Sequence, residues 1–126
     1  MTFSRILLFS SLLLFATKFF GQQYKEEAKL KADSLYKLIL NDPSIFCHLE
    51  DTFSADKGSP IGCGEYGYVE ANLIVEPVRN LITAENLNKI MPPTETLFGY
   101  HIIIPLERRG SKIRFKHILI AFDKGL

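Results

Sequence analysis

LFGYHIIIPL at residues 97–106 and KIRFKHILIAFD at residues 112–123 are the two stretches that decide the fold of this chain. In the first stretch, apolar residues recur at every second position, which places them on one face of a β-strand. The members of that face are Phe98, Tyr100, Ile102, Ile104 and Leu106. The polar connection ERRGS at residues 107–111 contains Gly110, which can adopt a left-handed conformation. The pattern predicts a β-hairpin with a loop of about five residues.

The second strand of this hairpin changes its pattern half-way along. Ile113 and Phe115 alternate with basic residues, whereas residues 118–122 are all apolar. A β-bulge near Lys116 and His117 would change the phase of the alternation. The alternative is that this half of the strand is central and buried on both faces.

The segments before the hairpin complete the predicted element order. Apolar residues three and four positions apart predict a helix over residues 22–41, and Asp42-Pro43 ends it. The further expectations are a short strand within residues 44–53, a loop over residues 55–64, a strand over residues 65–76 that Pro77 ends, and a short helix over residues 83–91 with Thr83 as its N-cap.

This order predicts a single α+β domain over residues 22–126. We expect an antiparallel sheet of three to four strands, with the long N-terminal helix packed on one face and a short helix between strands. The alternative is a small partial barrel similar in layout to an OB fold.

The first 21 residues have the layout of a secretory signal peptide, with one basic residue, an apolar run and a small residue at the end. The run from Ile6 to Ala16 is shorter than the roughly 20 residues of a membrane-spanning helix, so we expect cleavage after Gly21 and no stable membrane anchor. Removal of Arg5 and Lys18 changes the net charge from +1 to −1. The chain is therefore predicted to be exported, periplasmic or secreted, and not to bind nucleic acid.

Cys47 and Cys63 are the two cysteines of the chain. In an oxidising compartment an even number of cysteines predicts a disulfide, and closing a loop of this size contributes about 3 kcal/mol in the chain-entropy model. The alternative hypothesis is a thiol-dependent hydrolase in which Cys63 is the nucleophile and a histidine is the base. The candidate bases are His48, His101 and His117.

Two groups of residues are candidate binding sites. The basic residues near the hairpin turn could bind an anionic surface; they are Arg108, Arg109, Lys112, Arg114 and Lys116. Tyr66 and Tyr68 lie on the outer face of the predicted strand 65–76, and with His101 they could line a pocket for a small ligand. The sequence shows no catalytic constellation, and we predict no metal and no cofactor.

The leading hypothesis from the sequence is a small exported binding or interaction module without catalysis. Its partner would be a protein or a small ligand. The Cys63 hydrolase and the anionic-surface module with the basic residues of the 108–116 hairpin are the alternatives.

Overall fold

The computed structural model describes the backbone of residues 2–122 and the side chains of residues 20–122. The predicted signal segment 1–21 lies mostly outside the described side chains, and Asp123, the predicted end of the hairpin, lies outside the described residues. The elements in chain order are α1 (Thr2–Asn41), α2 (Phe46–Phe53), β1 (Val69–Glu70), α3 (Glu76–Arg79), β2 (Thr94–Glu95), β3 (Gly99–Arg109) and β4 (Lys112–Ala121). Short 3-10 helices lie at Pro43–Ile45, Ala71–Leu73 and Ala84–Asn86.

The fold is α+β, as the sequence predicts, with an antiparallel four-stranded sheet in the order β1-β4-β3-β2. The hairpin of β3 and β4 forms its centre, and Arg109 pairs with Lys112, so the turn is tighter than the predicted five residues. Gly110 adopts a φ of 59° at this turn. The register shifts between Pro105 and Glu107 on β3, and not near Lys116 and His117. The apolar run at 118–122 therefore reflects a central strand, the second of the two alternatives.

The long helix α1 covers one face of this sheet. Its buried side chains recur at helical spacing: Ala28, Ala32, Leu35 and Ile39. They pack against β3 and β4 through Tyr100, Ile102, Ile118 and Ile120. This face of the helix confirms the predicted long helix packed on the sheet.

The opposite face of the sheet is covered only in part. Ile103, Ile113 and Phe115 pack there against Val78 and Ile82, which follow β1 in the chain. His101 and His117 lie on the same face, because residues of equal parity along a strand share a face. The uncovered part of this face is where the candidate site lies.

A disulfide joins Cys47 on α2 to Cys63, as the sequence predicts. Cys63 stands in a left-handed turn with Gly62 and Gly64, with φ values of 94°, 57° and 77° along residues 62–64. A Cβ on Gly64 would come within 2.0 Å of the His117 carbonyl oxygen. Only glycine fits there, because the turn lies directly on the backbone of β4.

The strand predicted within residues 44–53 is wrong, since the segment is helical. Asp42 caps the preceding 3-10 helix by accepting a hydrogen bond from the Ser44 amide at 3.1 Å. Phe46 and Leu49 then bury the same side of α2, which is the spacing of a helix and not of a strand.

The strand predicted over residues 65–76 is reduced to the two residues of β1. Gly67 has a φ of 82° before it, and a 3-10 helix at Ala71–Leu73 follows it. Leu73 is 78% exposed, so the alternating apolar positions do not all face the core. Pro77 does not end a strand; it lies in the first turn of α3, where its missing amide hydrogen costs nothing.

The short helix predicted over residues 83–91 is also reduced, to the 3-10 turn Ala84–Asn86. Thr83 is the N-cap residue of this turn, as the sequence predicts, but its side chain makes no capping hydrogen bond. The amides of Asn88 and Met91 instead donate to Pro105 and Ile103 on β3, at 2.7 and 2.9 Å. Backbone pairing with the sheet therefore replaces the helix.

Candidate functional site

Two histidines lie side by side on the partly covered face of the sheet. His101 on β3 pairs across the ladder with Leu119, and His117 on β4 pairs with Ile103, so the two histidines are diagonal neighbours. Their rings stack with centroids 5.5 Å apart and planes 15° apart. The two Nδ1 atoms are 3.2 Å apart, within hydrogen-bond distance. Both residues are buried, at 5% and 9% exposure.

The Nε2 atom of each histidine has a separate hydrogen-bond partner. His101 Nε2 lies 2.8 Å from Thr96 Oγ1, and His117 Nε2 lies 2.8 Å from Asp56 Oδ2. Thr96 Oγ1 also accepts a hydrogen bond from the Phe98 amide. The Asp56 carboxylate can only accept, so His117 donates to it from Nε2. When both rings are neutral, His101 then donates from Nδ1 to His117, and Thr96 donates to Nε2 of His101.

Asp56 is the acceptor at the end of this chain. Its carboxylate also accepts from the Tyr66 hydroxyl, at 2.6 and 2.7 Å, and from the Gly58 amide at 3.1 Å. Partial burial by itself would raise the pKa of Asp56, but the hydrogen bonds from Tyr66, Gly58 and His117 outweigh it and lower the pKa. Asp56 is therefore ionised at neutral pH.

The other shifted groups of the site stay neutral. Burial lowers the pKa of His101 to about 4, and the nearby His117 adds to this fall. Burial and the hydrogen bond to Asp56 raise the pKa of Tyr66 to about 12. The site at neutral pH thus combines one carboxylate with a neutral imidazole and a neutral phenol.

The histidine pair forms the polar floor of an apolar cleft of about 320 Å³. Asp56, His101 and His117 are its polar residues, and the walls are aliphatic and aromatic. The walls include Ile74, Val75, Val78, Phe98, Phe115 and Leu119. A smaller cavity of about 180 Å³ beside Tyr66 and Gly67 shares Ile74 and Phe115 with the cleft. An apolar cleft with a few fixed polar groups is the usual form of a small-ligand or peptide site.

Large apolar side chains are exposed at the rim of this cleft. Leu73 is 78% exposed and Phe98 is 59% exposed, and both line the cleft. Such residues are costly to leave in water and commonly contact a partner. The rim therefore extends the apolar surface beyond the cleft itself.

A second groove, of about 510 Å³, lies between α1 and the end of β4. It is larger than the cleft, but among its lining residues are Glu27, Lys31 and Ser34 of α1 and no histidine. The smaller cleft is the stronger candidate because it alone of the two joins an apolar wall to titratable groups with shifted pKa values.

The structure brings together only part of the predicted binding residues. His101 and Tyr66 meet at the cleft through His117 and Asp56. Tyr68 turns away and donates a hydrogen bond to Glu107. Of the predicted pocket residues, only His101 lines the cleft, together with His117 and Asp56. Tyr66 lines the smaller adjoining cavity and reaches the cleft through its hydrogen bond to Asp56.

The basic residues of the hairpin are largely engaged within the protein. Arg109 pairs with Glu107 at 2.9 Å, and Arg114 pairs with Glu65 at 2.6 Å. Arg108 donates to the Ile82 carbonyl at 3.1 Å. Lys112 and Lys116 remain on the surface of β4, away from the cleft lining. The hairpin end is a mixed network of both charge signs and not a uniform cationic patch.

The thiol-hydrolase hypothesis is wrong. Cys63 is bonded to Cys47, and the described part of the chain contains no free cysteine. A disulfide sulfur has no thiolate to act as a nucleophile. Of the three candidate bases, His101 and His117 belong to the cleft, and His48 is exposed on α2.

Within residues 20–122, no group of three or more histidine, cysteine, aspartate or glutamate residues is arranged to hold a metal ion. The two facing Nδ1 atoms of the histidines are bonded to each other, which leaves no shared lone pair for a metal ion.

A family model described as the PPIC-type PPIASE domain matches residues 4–109. The chain belongs to the PPIC-type PPIase domain family. The match ends before β4, so His117 is assigned to the site by the structure and not by the match. Within the described part of this PPIC-type domain, no helix has the length and apolarity needed to cross a membrane.

Curated relatives of this PPIC-type domain are named Chaperone SurA. The protein of Methylococcus capsulatus is 37% identical over 86 residues, which cover 68% of this chain and 19% of the relative. That of Pseudomonas syringae pv. tomato is 30% identical over 87 residues, or 69% and 20%. That of Vibrio cholerae is 31% identical over 104 residues, or 79% and 24%. The chain thus spans about a fifth to a quarter of the length of these relatives.

Proposed function

We propose that this chain binds proline-containing segments of unfolded polypeptide in the cleft and isomerises the prolyl peptide bond. The observation that carries this proposal is the hydrogen-bonded series Thr96, His101, His117 and Asp56 at the floor of an apolar cleft. Membership of the PPIC-type PPIase family supports the reaction, and the relatives' name, Chaperone SurA, supports an unfolded protein as the partner.

The reaction needs rotation about one bond and no bond cleavage. Resonance gives the peptide C–N bond partial double-bond character and a rotation barrier of about 18–20 kcal/mol. Resonance also places negative charge on the carbonyl oxygen of the planar amide, and a twisted amide loses part of that charge. A site lowers the barrier when it interacts better with the twisted amide than with the planar one.

The cleft offers two such interactions. Its apolar walls accept the proline ring and remove the water that hydrogen-bonds the planar carbonyl oxygen. The ionised carboxylate of Asp56 lines the same cleft, and it disfavours negative charge on a nearby carbonyl oxygen. Both effects destabilise the planar amide more than the twisted one.

The histidine pair holds this carboxylate in place. Each described hydrogen-bonding nitrogen of the pair already has a partner, so no proton transfer to substrate is needed. Because His101 is neutral above pH of about 4, the floor carries no second charge from this residue. The rings thus act as an oriented support for Asp56.

Peptide binding can be tested by NMR titration of the ¹⁵N-labelled chain. The probe is the tetrapeptide Ala-Leu-Pro-Phe, and the control is Ala-Leu-Ala-Phe. We expect larger shift changes with the proline peptide at His101 and Phe98 than at His48, which lies outside the cleft. Equal responses to the two peptides, or no response at the cleft, would contradict the proposal.

A second candidate function is binding of unfolded polypeptide without isomerisation. It is one form of the leading hypothesis from the sequence, which is a binding module without catalysis and with an unknown partner. The exposed Leu73 and Phe98 at the rim favour it, because they could hold apolar chain segments without any rotation step. Binding of the tetrapeptide with no change in its cis–trans exchange rate would select this candidate.

We also propose that residues 1–21 are a cleaved signal peptide and that residues 22–126 act in the periplasm or another exported compartment. The charge and apolar layout of the segment supports cleavage, and the disulfide supports an oxidising compartment. Expression of the chain in a Gram-negative bacterium should release a periplasmic product whose first residue is Gln22. Retention in the cytoplasm with residues 1–21 intact would contradict export.

A further inference from the structure

The disulfide lies close in the chain to a segment that contacts His117. Cys63 is followed directly by Gly64, whose carbonyl accepts a hydrogen bond from the His117 amide at 3.2 Å. The next residue, Glu65, forms a β-bridge with Lys116. The left-handed turn at residues 62–64 is therefore joined directly to β4 at the His117 amide, and Glu65 continues the contact at Lys116.

This turn is conformationally demanding. Glycine adopts left-handed φ values freely, but Cys63 at a φ of 57° has a Cβ that disfavours the conformation. Such a residue keeps its conformation only when the surrounding structure enforces it. The bond to Cys47 on α2 is the covalent constraint at this residue.

Residues 55–57, which lie between the two cysteines in the chain, are held by hydrogen bonds of their own. The Ala55 amide donates to the Leu119 carbonyl at 2.8 Å, and Lys57 Nζ donates to the Asp51 carbonyl at 2.5 Å. These bonds hold the neighbourhood of Asp56 independently of Cys63. Loss of the disulfide should therefore act first on the turn and on His117, and only then on Asp56.

We propose that the Cys47–Cys63 disulfide is a positioning element of the cleft, which holds the left-handed turn against β4 and thereby sets the place of His117. The predicted effect of the disulfide on activity rests on the proposed function. Its predicted effect on the position of His117 does not. The consequence is a redox-sensitive site. In the reduction, an added dithiol gives two electrons and two protons to the Cys47–Cys63 disulfide. Cys47 and Cys63 become thiols, and the added dithiol becomes a disulfide.

Two double variants, both without the disulfide, distinguish release of the left-handed turn from loss of the sulfur atoms alone. In Cys47→Ser with Cys63→Ser, residue 63 keeps a Cβ and loses its covalent constraint. In Cys47→Ser with Cys63→Gly, the disulfide is also lost, but glycine accepts the left-handed conformation without strain. The second variant should keep the turn on β4, and the first should release it.

The primary measurement is the imidazole ¹H–¹⁵N spectrum of the full chain, which does not depend on activity. We expect the His117 ring signals to shift in the serine variant and in the protein reduced with dithiothreitol, and to stay near their oxidised positions in the glycine variant. His48 is the internal control. If the proposed isomerisation is also correct, kcat/KM should fall about tenfold or more in the serine variant, with partial recovery in the glycine variant.

The outcomes are distinguishable. Unchanged His117 signals in the folded serine variant and in the reduced protein would overturn the positioning role. An equal change in both double variants would also overturn it, because the effect would then be general loosening. Unfolding of both variants and of the reduced protein would assign the disulfide to the whole fold instead. Shifted His117 signals without any isomerase activity in the oxidised protein would retain the positioning role and reject the proposed reaction.

Discussion

At the residue scale, the site depends on which atoms of two imidazole rings are donors. The Asp56 carboxylate can only accept, so His117 donates to it from Nε2, and Nδ1 of a neutral His117 ring is then an acceptor. His101 therefore donates from Nδ1 to His117, and its Nε2 accepts from Thr96 Oγ1. The position of the carboxylate therefore depends on groups on three separated segments of the chain.

Asp56→Asn should lower kcat/KM for a prolyl peptide by about 10- to 100-fold. Asparagine has nearly the same shape, but it carries no charge and only one acceptor oxygen, whereas Asp56 accepts from both His117 and Tyr66. Asp51→Asn on the exposed side of α2 is the matched control and should leave kcat/KM unchanged. Activity of Asp56→Asn equal to that of the control would show that the carboxylate has no part in the reaction.

The free energy of unfolding should fall as the pH decreases from 6.5 to about 4. His101 has its ordinary pKa of 6.5 in the unfolded chain and about 4 in the folded one, so the unfolded state binds more protons in this window. Stability therefore rises with pH there, by about 3 kcal/mol from this group. The groups that face it are His117, Thr96 and, beyond His117, Asp56.

Urea unfolding at several pH values measures this dependence. His101→Gln should flatten the stability curve between pH 6.5 and 4, because the titrating group is gone. His48→Gln, on the surface of α2, should leave the slope as it is in the unmodified chain. A slope that survives in His101→Gln would contradict the assignment to His101.

At the element scale, two turns with left-handed glycines differ in what surrounds them. Gly64 would place a Cβ 2.0 Å from the His117 carbonyl oxygen, whereas a Cβ on Gly110 would meet nothing within 4 Å. Gly64→Ala should therefore cost about 2–4 kcal/mol of unfolding free energy, and Gly110→Ala about 1 kcal/mol. Chemical denaturation of both variants measures the difference. Equal costs would contradict the close contact between the turn and β4.

The rim of the cleft allows a comparison between adjacent residues. Phe98 lines the cleft and is 59% exposed, and Leu97 is 92% exposed and does not line it. Phe98→Ser should weaken binding of Ala-Leu-Pro-Phe about fivefold, because the peptide covers part of this ring. Leu97→Ser should have little effect. Calorimetric titration that shows equal loss in both would place the binding surface elsewhere.

The elements that the sequence predicts well are those with a long, regular pattern. The helix that ends at Asn41 and the hairpin of β3 and β4 each bury a periodic face. Residues 65–76 also alternate, but Gly67 and the position of Leu73 in water break the strand there. Alternation predicts a strand only where a neighbouring strand and a core exist to use it.

The site was less accessible from the sequence. The sequence predicts a pocket with Tyr66 and His101, and it names His101 and His117 as candidate bases, but it does not bring all three residues into one site. The hairpin contained the missing signal, because a turn centred near residue 109 places the two histidines close together on one face. Asp56 and Thr96 have no such signal, since the 61-residue separation of Asp56 from His117 is closed only by the tertiary fold.

At the scale of the whole molecule, the two faces of the sheet have different tasks. The face under α1 is filled with buried aliphatic side chains and forms the larger core. The opposite face carries a smaller core together with the cleft and the histidine pair. The disulfide joins α2 to the turn that contacts β4, and it therefore links the helical part of the molecule to the cleft.

The most direct test of the proposed function is the cis–trans exchange rate of Ala-Leu-Pro-Phe, measured by NMR exchange spectroscopy with a catalytic amount of the chain. Uncatalysed exchange takes tens of seconds or longer at 25 °C, so any acceleration is clear. We predict faster exchange with the unmodified chain and with His48→Ala, and a large loss of this acceleration in Asp56→Ala. Exchange at the uncatalysed rate with the folded, unmodified chain, under conditions in which the peptide binds, would contradict the proposed isomerisation.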